Sequence, residues 1–236
     1  METIRMIFKR IVLLSTVVVI ATFLLSLLMR LLPGDPAAVL VPNAPEELRA
    51  LIREETGLSK GIFGYYWQWL SGMLQGDFGK YYLNGGYRPV SEVLKKCLPP
   101  SLFLILYAQI VALTFAIPLG LISAYKENSR FDRITSSVLF TAVSIPAFAS
   151  GIILSLIFAV QLGWVDPIGY ESPFGNPVEH FKLMILPVTS LAIGLTSSYT
   201  RLLRTDVIAT LKEDYVTMAA SKGISNRRVL WKHVFR

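Results

Sequence analysis

Between Cys97 and Tyr125 the chain reads LPPSLFLILYAQIVALTFAIPLGLISA, residues 98–124, without one Asp, Glu, Lys, Arg or His. A helix needs about 20 apolar residues to cross a hydrocarbon layer of roughly 30 Å. Each charge at its centre would cost about 2.5–3.5 kcal/mol. Three further stretches are equally free of charge: 11–29, 134–162 and 184–200. The chain of 236 residues carries 23 Lys and Arg and 16 Asp and Glu, and it holds them in blocks between these stretches. The pattern predicts an all-α polytopic membrane protein with four transmembrane helices. The spans at 98–124 and 134–162 exceed the length needed, so they are expected to tilt, kink or emerge.

The first stretch, 11–29, follows a basic start (Arg5, Lys9, Arg10) but is longer than the apolar region of about 7–15 residues in a signal peptide. No small-residue cleavage pattern follows it, and it reads as a retained helix. Orientation follows from the basic residues. With residues 1–10 inside, the inner segments (1–10, 125–133, 201–236) hold 14 Lys and Arg, against 9 in the longer outer segments (30–97, 163–183). The expected arrangement is a cytoplasmic N-terminus at 1–10, a first span at 11–29 and an external loop domain at 30–97. A membrane domain at 98–236 follows, with spans at 98–124, 134–162 and 184–200 and a cytoplasmic segment at 201–236. The net charge of +7 is then a topology signal, and nothing in the chain resembles a nucleic-acid-reading element.

The chemistry that remains is narrow. One cysteine, Cys97, excludes an internal disulfide and a multi-thiol metal site. His180 and His233 fall on opposite sides of the membrane in this topology, which excludes a shared metal site or dyad. The segment Gly76-Asp77-Phe78-Gly79-Lys80-Tyr81 fails the phosphate-loop pattern, with Leu74 where the first glycine belongs and Tyr81 where Ser or Thr belongs. No catalytic residue and no cofactor site is expected. An ion-coupled transporter would keep an ionisable residue within a span, and none of the four has one.

In the external loop, Pro45-Glu46-Glu47 opens a short helix with Leu48, Leu51 and Ile52 on one face and Gly57 as its stop. The aromatic run 64–70 is either a helix on the outer interface or part of a small packed core; the residues fit both. Three prolines interrupt the spans, Pro118, Pro146 and Pro187, and each is a candidate hinge or a packing irregularity. In the tail, Tyr215, Met218, Ala219 and Lys222 share one helical face, and Gly223 ends that helix. A second helix follows Ser225, with Arg227, Arg228 and Lys232 flanking an apolar side. The alternative is a generic amphipathic segment on the membrane surface.

The run 213–223, EDYVTMAASKG, is similar to the cytoplasmic EAA loop of type I ATP-binding-cassette importers, in its oligopeptide/dipeptide/nickel form. Of the general E-A-A-x-x-x-G pattern only Ala219 and Gly223 are kept, as in the peptide class. Other pieces follow in family order: Leu32-Pro33-Gly34-Asp35-Pro36-Ala37, Tyr66 to Leu70, Gly76 to Gly79, Arg88-Pro89-Val90, Leu98 to Ser101, Ile117 to Gly120, Ser144-Ile145-Pro146 and Gln161 to Trp164. The chain therefore resembles a permease subunit of such an importer over nearly its whole length.

The resemblance implies a multi-pass protein of the plasma (inner) membrane. Its implied partners are a second permease subunit, two ATPase subunits and an external solute-binding protein. It implies coupling to the ATPases through Asp214, Tyr215, Ala219, Gly223, Arg227, Arg228 and Lys232. It also implies six spans, so a C-terminal truncation after the fourth is expected, and with it the alternative of a non-transporting fragment or assembly subunit; an ion-coupled secondary transporter is a further, weaker alternative.

The topology is open to a direct test on a Cys97→Ser background. A membrane-impermeant thiol reagent added to intact cells should label Tyr87→Cys and leave Ser225→Cys unlabelled until the membrane is opened. The reverse labelling would invert the assignment.

Overall fold

A computed structural model describes residues 2–31, 33–42, 44–83 and 86–214, together with 216 and 218. The elements in order are α1 (Glu2–Leu31), α2 (Pro36–Leu40), α3 (Glu46–Glu55), α4 (Ile62–Leu74), β1 (Lys80–Leu83), β2 (Gly86–Pro89), α5 (Val90–Tyr125), α6 (Arg130–Ser144), α7 (Ala147–Leu154), a π-helical continuation (Ser155–Gln161) and α8 (Pro177–Leu211). They form two compact units, residues 1–97 and 98–236, whose boundary falls early in α5.

Among the described residues, three single helices are long and apolar enough to cross a membrane: Ile4–Leu31, Val90–Tyr125 and Pro177–Leu211. The expected third span is not one straight helix. Arg130–Ser144 and Ala147–Gln161 pass together but are bent by 92°, and counting the pair as one span gives four. The cause is Pro146, which lacks an N–H and pushes the preceding residue out of the helical region. Ile145 accordingly sits at φ −90°, ψ 119°.

In the first unit, Asp35 caps α2 by accepting from the Ala37 N–H at 3.0 Å. Its other oxygen accepts from Arg53 Nε and Nη2 at 3.1 and 2.5 Å, and Arg53 also reaches Glu46 at 2.8 Å. This clip sets the rotation of α3. Ile52 is buried, but Leu48 and Leu51 are exposed, contrary to the apolar face expected from their spacing. The face turned inward is instead the 49, 52, 53, 56 stripe, because the arginines must reach Asp35 and the Pro42 carbonyl. Gly57 does end the helix, at φ +74°.

The β1–β2 hairpin was not foreseen; it pairs Lys80 with Pro89 through Leu83 with Gly86. The Lys80 ammonium pairs with the Glu55 carboxylate and lies 4.2 Å from the Tyr87 ring centre. The rejected phosphate loop is an Asx turn, in which Asp77 Oδ1 accepts from the Gly79 N–H at 2.9 Å.

In the second unit α5 buries a stripe of small residues, Ala108, Ala112, Ala116, Gly120 and Ser123, plus Ala124. Small side chains let membrane helices approach closely. A Cβ at Gly120 would lie only 3.1–3.2 Å from the Leu203 side chain, so α5 and α8 meet there at the limit of contact. The axis of the unit is α8, which buries residues from His180 to Val207.

The Arg53 guanidinium holds the Asp35 carboxyl below the usual carboxylate range. A carboxyl depressed by folding stabilises the fold above its unfolded value of about 3.9, and that contribution is lost as the pH falls through the folded value. Amide exchange across 36–56, corrected for the intrinsic pH effect, should stay slow at neutral pH and accelerate below about pH 4. Asp35→Asn should show fast exchange at neutral pH and little further change on acidification.

Candidate functional site

The turn between α5 and α6 builds a carboxylate site. Ser129 caps α6, accepting from the Asp132 N–H at 3.2 Å. Asn128, at φ +64°, donates its N–H to Asp132 Oδ2 at 2.9 Å. Arg204 of α8 then closes on the same carboxylate, Nε to Oδ1 at 2.6 Å and Nη2 to Oδ2 at 2.7 Å. Asp132 is 3% exposed, so this two-pronged pair is a buried joint between α6 and α8. Lys212 reaches Glu127 of the same turn at 3.6 Å.

Beside the joint lies a cavity of about 580 Å³ lined by Ser123, Thr135, Ser136, Ser137, Leu139, Phe140, Thr141, Thr200, Arg201 and Arg204. Six hydroxyls and two guanidinium groups face it, offset by one carboxylate in the joint. The Ser123 and Thr200 hydroxyls, in residues 0% and 2% exposed, have no hydrogen-bond partner among the described residues. A buried hydroxyl without a partner is costly, and water or a polar solute relieves it.

Pro146 stands at the N-terminus of α7, and the Ser190 hydroxyl of α8 donates to the Ala147 carbonyl just beyond it. That bond ties the bend to α8. Pro118 and Pro187 lie inside unbroken stretches of α5 and α8 and mark no comparable bend. A second cavity of about 430 Å³ runs beside the bend, lined by residues that include Ala147, Gly151, Asp166, Pro187 and Ser190.

At the other end of α8, His180 is wholly buried. Its Nδ1 is 2.6 Å from the Glu171 carbonyl oxygen, which requires Nδ1–H to donate, and Nε2 is 3.2 Å from the Tyr107 hydroxyl. The rings of Phe103, Tyr107, Tyr170 and Phe181 surround it at 5.4–5.9 Å. Sequence reading missed this centre and the Asp132–Arg204 joint, because both join residues more than 70 apart.

Of the expected coupling residues, Asp214 is exposed just beyond the end of α8. Tyr215, Ala219, Gly223, Arg227, Arg228 and Lys232 lie outside the described residues. Val216, which the expected face omitted, is buried, and Met218 is exposed.

Residues 116–236 match the family described as binding-protein-dependent transport system inner membrane component. Residues 3–85 match the N-terminal model of binding-protein-dependent transport system membrane components. The chain is 34% identical over 229 residues to the glutathione transport system permease protein GsiC of Salmonella choleraesuis (strain SC-B67), covering 97% of this chain and 72% of that protein. To the protein of the same name from Escherichia coli (strain K12) it is 31% identical over the same coverage.

The joint predicts an asymmetric response to substitution. Arg204→Gln strands a carboxylate in a site with almost no solvent and should cost on the order of 3 kcal/mol. Asp132→Asn leaves an arginine that is one-quarter exposed and able to turn its head toward water, so it should cost less. Unfolding of both variants in lipid nanodiscs measures the difference, and an equal or larger loss for Asp132→Asn would rule out a buried carboxylate as the costly partner.

Proposed function

The chain belongs to the family of binding-protein-dependent transport system inner-membrane components, and on that premise we propose that it forms one half of the solute path of an ATP-driven importer. The observation that carries the path is the hydroxyl-lined cavity of about 580 Å³ beside α8, bordered by an ion-paired joint. A path through hydrocarbon needs polar groups that replace a solute's water without binding it tightly, and a ring of Ser and Thr hydroxyls does this. Arg201 and Arg204 against one Asp132 leave the cavity net positive, which suits solutes with carboxylates. The relatives are named as glutathione permeases. Peptide-like solutes with a free terminal carboxylate are therefore the proposed cargo.

The chain is a multi-pass inner-membrane protein, and we assign its N-terminus to the cytoplasm from the distribution of Lys and Arg. A second permease subunit completes the path, an external binding protein delivers the solute, and two ATPase subunits hydrolyse ATP. The chain itself supplies no catalytic group. Coupling runs through the segment that begins at Asp214 and continues through Tyr215, Ala219, Gly223, Arg227, Arg228 and Lys232. Motion of that segment reaches α8 directly. The Asp132–Arg204 joint carries it to α6, and the Ser190–Ala147 hydrogen bond carries it to the bend at Pro146. The bend is the proposed hinge, with Pro118 and Pro187 as lesser points of give.

The test is uptake of labelled glutathione and of dipeptides by cells carrying the whole transporter, with and without this chain. Uptake should require the chain, the binding protein and ATP. Ser137→Trp puts bulk into the cavity from an exposed position. It should lower uptake by about tenfold, the loss that 1.4 kcal/mol of obstruction produces, with ATPase subunits still co-purifying. Uptake unchanged by loss of the chain would overturn the importer reading, and full uptake by Ser137→Trp would overturn the assignment of the path.

A further inference from the structure

We propose that α4 is embedded in the leaflet at the Arg30 end of α1 and binds lipid acyl chains along one stripe, so the segment between the first two spans does not lie wholly in water. The first observation is depth. Phe23 stacks on Phe63 at 5.7 Å and meets Tyr66 edge-on at 5.2 Å. The Tyr66 hydroxyl is 3.0 Å from the Val19 carbonyl oxygen and 2.9 Å from the Thr22 hydroxyl. The charge-free stretch of α1 runs from 11 to 29 and is bounded by Arg10 and Arg30. At 1.5 Å per residue, Phe23 and Val19 lie about 10 and 16 Å inside Arg30. A contact with Val19 is thus near the middle of the hydrocarbon that α1 crosses.

The second observation is that α4 is built for that place. No charged residue occurs from 61 to 76. The three faces of the helix have three different surroundings. Phe63, Trp67, Leu70 and Leu74 recur at spacings of four, three and four on one stripe, and Phe63, Trp67 and Leu74 are exposed. Tyr66, on the flank of that stripe, packs on α1. The opposite stripe of Tyr65, Gln68, Trp69 and Gly72 lines a cavity shared with Glu55, Lys80 and the hairpin, on the polar side of the unit.

Backbone groups that face hydrocarbon need internal partners. The last turn of α4 supplies them: the carbonyls of Ser71, Gly72 and Met73 accept from the amides of Gln75, Gly76 and Asp77. The point of entry is fixed at the boundary. Arg30 donates to the carbonyls of Leu58 and Lys60 and lies 5.4 Å from the Tyr65 ring centre. The exposed stripe continues the surface of α1, whose most apolar window buries none of its residues inside the protein. Acyl chains that cover α1 therefore cover α4 as well.

The experiment uses the whole transporter in phosphatidylcholine–phosphatidylglycerol nanodiscs, on a Cys97→Ser background. Nitroxide labels go to Trp67→Cys and Leu74→Cys, with Glu47→Cys on exposed α3 as the water-facing control. The ratio of oxygen to nickel-chelate collisions should be roughly tenfold higher at 67 and 74 than at 47, because the charged chelate stays out of hydrocarbon. A second measurement needs no substitution: phospholipids with a diazirine in the acyl chain should leave photoadducts on the peptide containing residues 62–74. Equal collision ratios at all three positions would overturn the proposal. So would adducts that spare 62–74, or crosslinks from that stripe to a partner subunit in place of lipid.

Discussion

A peptide group that enters hydrocarbon has to find its hydrogen bond within its own segment, because no water is there to supply one. The continuous helices α1, α5 and α8 meet that demand except for the bonds that their internal prolines, Pro118 and Pro187 among them, cannot donate. The bend between α6 and α7 is the larger exception, and its surroundings show how the demand is met locally. The amides of Ala149 and Ser150 return to the Pro146 carbonyl, and the Ala147 carbonyl is taken by the Ser190 hydroxyl. A side chain of α8 thus adds a hydrogen bond to the first turn after the proline. The same helix supplies Arg204 to the α6 turn and Leu203 to the gap left by Gly120. The α6 turn, the proline bend and the close approach at Gly120 all lean on α8.

Much of this was legible in the sequence wherever the cause is local and one-dimensional. Charge-free length gave α1, α5 and α8, and the proline at 146 marked where the third span breaks. Gly57 ended α3 as its position required. What was illegible depends on partners distant in the chain. The rotation of α3 follows from Arg53 reaching back to Asp35, and periodicity alone favoured Leu48 and Leu51 as the inner face. The hairpin at 80–89 was legible but overlooked: Asn84-Gly85 between Leu83 and Gly86 is a strong two-residue hairpin signal in the sequence. Its strands are held by the Lys80–Glu55 pair, which no local pattern announces. The Asp132–Arg204 joint and the enclosure of His180 join α8 to elements that lie far back in the chain. Single residues of common types gave no warning of either.

The two ends of α8 are built on different physics. At the His180 end the packing is aromatic and close, with an imidazole fixed at both nitrogens. At the Arg204 end the contact is ionic and stands beside a hydroxyl-lined cavity, where two hydroxyls are unmatched among the described residues. Packed aromatic groups resist small displacements, whereas hydroxyls beside water exchange partners at little cost. A displacement of α8 is therefore accommodated more easily beside the cavity than beside His180.

The sequence separation of the joint also sets a clock. Asp132 leaves the ribosome 72 residues ahead of Arg204. At synthesis rates of about 5–20 residues per second that is a wait of roughly 4–14 s. During it the carboxylate has no cation, yet the turn that carries it already provides a cap at Ser129 and an amide donor at Asn128. The nascent chain thus carries the carboxylate together with its local donors before the arginine has been made. Once α8 is made, Arg204 meets a carboxylate whose other hydrogen bonds come from residues already present, and that pairing fixes one point of the α6–α8 register.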